Sequence, residues 1–316
     1  MKRDFVTEYD VTSQEISKIF ALTAKLKKQK GKISTELKGK TIGLIFQKPS
    51  LRTRVSFEVG IHQLGGNCIY LGPEEINLGK RESTADVAKV LSRYLDGIVA
   101  RVFSHQDVVG LAKYGSIPVI NGLCDLYHPC QALTDVYSVL ESFGTLKNKT
   151  LAYIGDGNNV CHSLMLVCAK MGLNMTIATP VNYEPNAEIL QTAQELAKKT
   201  GVKISIGRDP KQAVKGAHVI YSDVWVSMGQ EEETQKRLKD FQGFQINGDL
   251  VKLADKNYIF MHCLPAHRGE EVSSDVIDSK HSVIFDQAEN RLHVQKAILI
   301  FLLGRKYTRT QVHKKK

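Results

Sequence analysis

The chain reads as an α/β protein of two doubly wound parallel-sheet domains, with the active site in the cleft between them. Three observations predict this. Short apolar runs of strand length alternate with helical spacing nearly throughout, a rhythm that implies parallel sheets covered by helices. The polar stretch Gly144-Thr145-Leu146-Lys147-Asn148-Lys149 separates two complete alternations and has the character of a domain boundary. The residues with chemical potential fall just past strand ends, where open parallel sheets bind ligands.

The elements follow in order. A helical pattern surrounds Ile16, Ile19 and Phe20. In the first half, strands are expected over residues 42–46, 68–71, 97–102 and 118–121, and helices over 51–64, 84–94, 106–114 and 129–143. In the second half, strands are expected over 150–154, 174–178, 203–206, 218–222, 259–262 and 283–285, and helices over 160–171, 186–200, 211–215 and 290–303. The expected domains are residues 1–147 and 148–289, with the last helix, about 290–316, packing back onto the first.

A chain of 316 residues suits two such domains. Its hydrophobic content of 42% and charged content of 24% describe an ordinary globular protein. No apolar run reaches membrane-spanning length, and the N-terminal residues lack an apolar signal core. The expectation is a cytoplasmic protein without membrane or nucleic-acid partners. The net charge of +10 comes largely from lysine-rich segments at 25–32 and 305–316, which read as solvated helix faces or chain ends. Only Tyr307 falls among them, short of the repeated interleaving of aromatic residues that single-strand binding would want. Six cysteines occur with no C-x-x-C pair or zinc spacing, so reduced thiols are expected.

The most informative motif is Ser50-Leu51-Arg52-Thr53-Arg54, where the strand Thr41-Ile42-Gly43-Leu44-Ile45-Phe46 gives way to a helix patterned through Val55, Phe57, Val59 and Ile61. A helix start presents unpaired N–H groups and a partial positive charge. Hydroxyls and guanidinium forks there suit phosphate oxygens. An ordinary capped helix with solvated arginines would look the same. His128-Pro129-Cys130-Gln131 opens another helix. His128 and Gln131 could donate to a carbonyl or serve only as caps, while Cys130 reads as packing. Gly155-Asp156-Gly157-Asn158-Asn159-Val160 lacks the third glycine of a dinucleotide fingerprint, and the following strand ends without an acid. Its asparagines read as polar groups at a helix start.

The segment Asp223-Val224-Trp225-Val226-Ser227-Met228-Gly229-Gln230-Glu231 could hold an amino-acid head group or be a turn around a packed Trp. In Met261-His262-Cys263-Leu264-Pro265-Ala266-His267, a thiol–histidine nucleophile, a metal trio and a pocket-lining loop are all conceivable. The last is favoured, because alternation along a continuing strand would point His262 away from Cys263. Arg291 starts the last helix and could reach the cleft or belong to a charged first turn.

Together these stretches resemble the aspartate/ornithine transcarbamylase family, and the ornithine branch of it, over nearly the whole chain from Phe46 to Arg291. Ser50 to Arg54 with Ser56-Phe57-Glu58 is similar to the family's carbamoyl phosphate signature, and His128-Pro129-Cys130-Gln131 is a shared element. Asp223 with Ser227-Met228-Gly229, and His262-Cys263-Leu264-Pro265, resemble the ornithine branch. The resemblance implies transfer of the carbamoyl group of carbamoyl phosphate to the side-chain amine of ornithine. It makes 1–147 the carbamoyl phosphate-binding domain and 148–289 the ornithine-binding domain.

It implies that Ser50, the backbone of Leu51, Arg52 and Thr53 hold the phosphate. Arg101, His128 and Gln131 would orient the carbamoyl group, with Pro129 and Cys130 beside them. Asn159, Asp223, Ser227 and Met228 would hold ornithine, Cys263 and Leu264 would sit at the reacting centre, and Arg291 would add positive charge. Arg52, Arg101, His128, Asp223 and Cys263 would carry catalysis. The resemblance further implies no cofactor or metal, and trimers or assemblies of trimers in which Asn77 reaches a neighbouring subunit's site. Two positions depart from the pattern. Leu51 stands where Thr is frequent, and Asn77 where Gln or His is usual. The rival readings are a transcarbamylase with another acceptor (putrescine, N-acetylornithine or aspartate) and a non-catalytic anion- or nucleic-acid-binding protein.

Overall fold

A computed structural model describes residues 2–76, 78–79, 81–227 and 231–304. The chain forms two compact units, Met1–Thr134 with Glu289–Lys316, and Asp135–Ala288.

The first unit is built on four parallel strands, β1 (Thr41–Phe46), β2 (Asn67–Leu71), β3 (Gly97–Arg101) and β4 (Val119–Leu123), in the order β2-β1-β3-β4. Ile42, Leu44, Ile45 and Phe46 are all fully buried, as a strand covered on both faces requires. The helices are α1 (Ser13–Lys28), α2 (Leu51–Gln63), α3 (Pro73–Ile76), α4 (Thr84–Tyr94), α5 (His105–Tyr114) and the start of α6 (Pro129–Phe143). Thr12 and Glu15 close a capping box around the start of α1. The edge of β4 is covered by Phe5, which exchanges backbone hydrogen bonds with Val119 and Asn121. Along α2 only Phe57 and Ile61 of the patterned apolar residues are buried; Val55 and Val59 are exposed.

The second unit holds five parallel strands, β5 (Thr150–Ile154), β6 (Asn174–Ala178), β7 (Ile204–Gly207), β8 (Val219–Ser222) and β9 (Ile259–His262), in the order β7-β6-β5-β8-β9. Its helices are α7 (Asn159–Met171), α8 (Ala187–Thr200), α9 (Pro210–Val214), α10 (Thr234–Asp240), α11 (Gly248–Val251) and α12 (Ser274–Ile277). Asp135, in α6, accepts hydrogen bonds from Tyr221 and Gln287, which ties the remainder of that helix to this unit. Helix α13 (Ile284–Leu303) ends the described chain.

The strand expected at 283–285 is not formed. Val283 donates one backbone bond to Phe260, and α13 then starts at Ile284. A three-residue apolar run has no period of its own, and here the long helix absorbs it. The short helices α3, α10, α11 and α12 were not legible, because one or two turns carry too little pattern. Among the described residues, no helix is long and apolar enough to cross a membrane.

Both sheets reverse strand order once, β1/β3 in the first and β5/β8 in the second. A doubly wound sheet opens a crevice at the carboxyl ends of the strands flanking such a point. The segments after β1 and β3 are 47–53 and 102–104; those after β5 and β8 are 155–159 and 223–227.

Candidate functional site

In the first unit, the chain leaves β1 and turns into α2 at Ser50. Ser50 is extended (φ −159°, ψ 109°), and its side chain makes no cap hydrogen bond to the helix. The first-turn N–H groups of α2 therefore keep their directed positive end free of a serine cap. Leu51 is 74% exposed, and its side chain has no polar group, so this residue can donate to a ligand there only through its backbone N–H. Thr53 is buried, and its Oγ1 accepts hydrogen bonds from Arg291 Nη2 at 2.7 Å and Arg101 Nη1 at 3.5 Å. Arg101 is the last residue of β3, at a register shift against β4. Arg54 turns away, bonded to Glu58 and stacked 3.6 Å from the centroid of the Tyr70 ring.

His128 precedes α6 and is buried. Burial first, then the charges of Arg291, Arg101 and Arg52, push its pKa well below the ordinary histidine range. Its imidazole is therefore neutral near pH 7, with one N–H to donate. Pro129 occupies the first position of α6, and Gln131 is buried one turn in. Cys130 contributes packing: burial raises its thiol pKa to about 12, and its Sγ lies 3.4 Å from the Asn121 carbonyl. Arg52, Thr53, Arg101, His128 and Arg291 thus form one cationic cluster at the switch point of the first sheet. Asn77 lies outside the described residues.

In the second unit, Asn158 caps α7. Its Oδ1 accepts from the N–H groups of Val160 and Cys161, which leaves Nδ2 to donate to Asp223 Oδ2 at 2.7 Å. Strands β8 and β9 pair with Ser222 opposite His262, so the next residues, Asp223 and Cys263, emerge side by side. The Cys263 thiol donates to Asp223 Oδ1 at 2.9 Å, and the Val224 N–H donates to the same oxygen at 2.8 Å. Asp223 is buried, whereas Asn159, Ser227 and Cys263 are half-buried. Met228 lies outside the described residues.

His262 does not point away from Cys263 as alternation predicted. The strand ends at His262, and Leu264 takes a left-handed backbone (φ +59°). The Leu264 N–H then donates to His262 Nδ1 at 2.9 Å. Donor atoms of Asp223, His262 and Cys263 lie within 4.8 Å of one another. The far nitrogen of His262 is 3.3 Å from Glu271 Oε1, both groups fully buried.

Sequence reasoning missed Asn158 as the direct partner of Asp223, and it missed Asp156 and Arg237. These last two form a buried ion pair at 2.8 Å behind the acidic loop. Arg237 sits in a charged run that reads as a solvated face, and only its burial distinguishes it. Asn158 carried a signal in its position ahead of the helix.

Two doubly wound sheets, one ending in an arginine–histidine cluster and the other in a carboxylate–thiol pair, define a two-unit α/β protein built to hold small polar ligands. Residues 3–141 match the carbamoyl-P binding domain of aspartate/ornithine carbamoyltransferase, and residues 147–302 match its Asp/Orn binding domain. The chain belongs to the aspartate/ornithine carbamoyltransferase family. It is 54% identical over 304 residues to the ornithine carbamoyltransferase of Thermococcus kodakarensis, with 96% of each chain covered. It is 53% identical to the anabolic ornithine carbamoyltransferase of Pyrococcus furiosus, again with 96% of each covered. A solved structure of ornithine carbamoyltransferase from Pyrococcus furiosus superposes with a TM-score of 0.93 at 52% identity, over 96% of this chain and 97% of that one.

Proposed function

We propose that the protein transfers the carbamoyl group of carbamoyl phosphate to the side-chain amine of L-ornithine, giving L-citrulline and phosphate. The observation that carries this reading is the convergence of Arg101 and Arg291 on buried Thr53 at the start of α2. Such a cluster offers a dianion charge, forked donors and directed backbone N–H groups together. The first unit is the carbamoyl phosphate-binding domain. Ser50, the N–H of Leu51, Arg52, Thr53 and Arg291 hold the phosphate, and Arg101, His128 and Gln131 address the carbamoyl oxygen. A neutral His128 can give that oxygen an N–H without competing with the arginines for the phosphate charge.

The second unit is the ornithine-binding domain. Asp223, with Asn159, Ser227 and Met228, holds the cationic and polar head group. Cys263 and Leu264 lie beside it at the reacting end. A lysine-like amine has a pKa of ~10.4 and must shed its proton to attack. The amine's electron pair forms a bond to the carbamoyl carbon, the carbonyl oxygen takes up charge, and collapse breaks the carbon–oxygen bond to phosphate, which leaves with that electron pair while the attacking nitrogen gives up its extra proton to the departing phosphate or to solvent. Each positioned donor on that oxygen contributes roughly 3 kcal/mol, and holding two substrates in register supplies a further large share. The description of a close relative as anabolic supports the biosynthetic direction.

Self-association as a trimer or an assembly of trimers, with the segment around Asn77 serving a neighbouring copy, belongs to the same reading. Leu51, Val55 and Val59 recur one turn apart on α2 and are exposed, as is Ile69 on the edge strand β2. An apolar stripe of this kind is what a second copy would cover. Free thiols at Cys68, Cys124, Cys130, Cys161, Cys168 and Cys263 fit work in the cytoplasm.

The test is a citrulline assay with an acceptor panel, alongside a native mass measurement. Ornithine is expected to be carbamoylated in preference to aspartate, putrescine and N-acetylornithine. A preference for any of those would overturn the acceptor assignment.

A further inference from the structure

We propose that Asp135 and Gln287 are positioning residues that set the spacing of Asp223 and Cys263, and through it the affinity for the amino-acid acceptor. The inference rests on the reading that Asp223 and Cys263 meet ornithine. Asp135, Tyr221 and Gln287 are all at most 1% exposed. Asp135 Oδ2 accepts from the Tyr221 hydroxyl at 3.0 Å, and Oδ1 accepts from Gln287 Nε2 at 2.7 Å. The other end of that amide, Gln287 Oε1, accepts the backbone N–H of His262 at 3.0 Å. One carboxylate therefore holds two neighbouring strand ends. Tyr221 lies in β8, two residues before Asp223, and His262 closes β9, one residue before Cys263.

Strand β9 lies at the edge of its sheet, so alternate N–H groups on its outer side face no further strand. Phe260 gives its N–H to the His281 carbonyl, and His262, two residues on, gives its own to Gln287. A buried N–H left without an acceptor is costly. The Gln287 amide meets that need with its oxygen, while its nitrogen answers the Asp135 carboxylate. Burial, and then the charge of Asp135, hold the Tyr221 hydroxyl well above its ordinary pKa, so it stays a donor. Its ring stacks on Tyr153 with centroids 5.8 Å apart, which fixes the direction of that donor. The Asp223–Cys263 contact of 2.9 Å is thus set by groups that act on it through the main chain of β8 and β9.

Two measurements on the full-length protein test this. The first is the rate at which iodoacetamide alkylates each cysteine, read by peptide mass spectrometry. In Gln287→Met the Cys263 thiol is expected to leave the Asp223 oxygen and react on the order of tenfold faster, as one unit of thiol pKa would give. Cys68, the other half-buried thiol, should keep its rate. The second is steady-state kinetics with each substrate varied in turn. Gln287→Met and Asp135→Asn are each expected to raise the KM for ornithine about 10- to 100-fold, the scale seen when a group supporting a functional ligand is removed. The KM for carbamoyl phosphate should stay within about twofold, since a lesion confined to acceptor binding leaves the other substrate's contacts in place. The exchange Asp135→Asn with Gln287→Glu again faces each donor with an acceptor, and it should recover most of the ornithine affinity. Should Gln287→Met fail to fold, Asp135→Asn and the exchange carry both measurements. Unchanged Cys263 alkylation and ornithine KM in folded variants overturn the inference, as does an equal rise in both KM values or in the rates of all six thiols. Failure of the wild-type protein to carbamoylate ornithine would instead overturn the reading beneath it, and the alkylation rates would still report on the pair.

Discussion

At the scale of single residues, the clusters of the two units carry opposite electrostatics. Around Thr53 the protein gathers cations, and it keeps His128 neutral by burying it among them. Around Cys263 it presents a buried carboxylate whose oxygens are both engaged. Arg52→Ala is expected to abolish citrulline formation while far-UV circular dichroism stays unchanged, because Arg52 is proposed to hold the phosphate and is only half-buried. Retained activity in that variant would remove Arg52 from the phosphate site. His128 also implies a pH dependence. In the unfolded chain it binds a proton near its ordinary pKa of ~6.5, whereas in the folded protein it resists protonation. Its contribution to stability is therefore complete above about pH 6.5 and is lost as pH falls below that value. His105, His218 and His293 are depressed in the same direction, chiefly by burial. Chemical denaturation between pH 7 and 5 should show a shallower loss of stability in His128→Gln than in the wild type. Equal slopes would mean that His128 takes up its proton freely in the folded state.

At the scale of elements, caps show how one local device serves two purposes. Thr12 caps α1 together with Glu15, and Asn158 caps α7 while donating to Asp223. Thr12→Ala should cost about 1 kcal/mol in urea unfolding and leave both KM values alone. Asn158→Ala should cost a similar amount, about 1 kcal/mol, and in addition raise the KM for ornithine. If the two variants proved kinetically alike, the Asn158–Asp223 bond would have no part in acceptor binding. The turn after β5 is equally constrained. A Cβ at Gly157 would lie 2.2 Å from the Pro185 nitrogen and 2.4 Å from the Glu184 carbonyl carbon. Backbone cannot give as a side-chain tip can, so Gly157→Ala is expected to lower thermal stability markedly, at a cost of roughly 1–3 kcal/mol. A melting temperature equal to that of the wild type would show that the 183–185 segment yields instead.

At the scale of the whole chain, the last helix is part of the first unit's core although it is distant in sequence. Arg291 reaches Thr53, Lys296 donates to Gln63 and Phe301 receives Arg3 against its ring. A Cβ at Gly97 would come within 3.1 Å of Leu303, so β3 and the helix end are in close contact. A chain ending at Ala288 should lose these contacts and expose β3, and it is expected to be insoluble or to unfold without cooperativity. A soluble truncated protein with a sharp thermal transition would contradict that role.

The alternation of strands and helices was legible because each period is written within a dozen residues. The candidate residues were legible because they cluster just past strand ends, which the same periodicity locates. Ser50 to Thr53, His128 to Gln131, Asp223 and Cys263 all belong to such clusters. What only the tertiary structure decided is which of them touch. Asp223 meets Cys263 because β8 and β9 pair in one register, and Arg291 meets Thr53 across 238 residues of chain. The neutrality of His128 and the burial of Arg237 are likewise properties of surroundings assembled from distant segments. Local sequence sets which chemistry is available at each strand end, while the register of the sheets and the packing around them set its geometry and its charge.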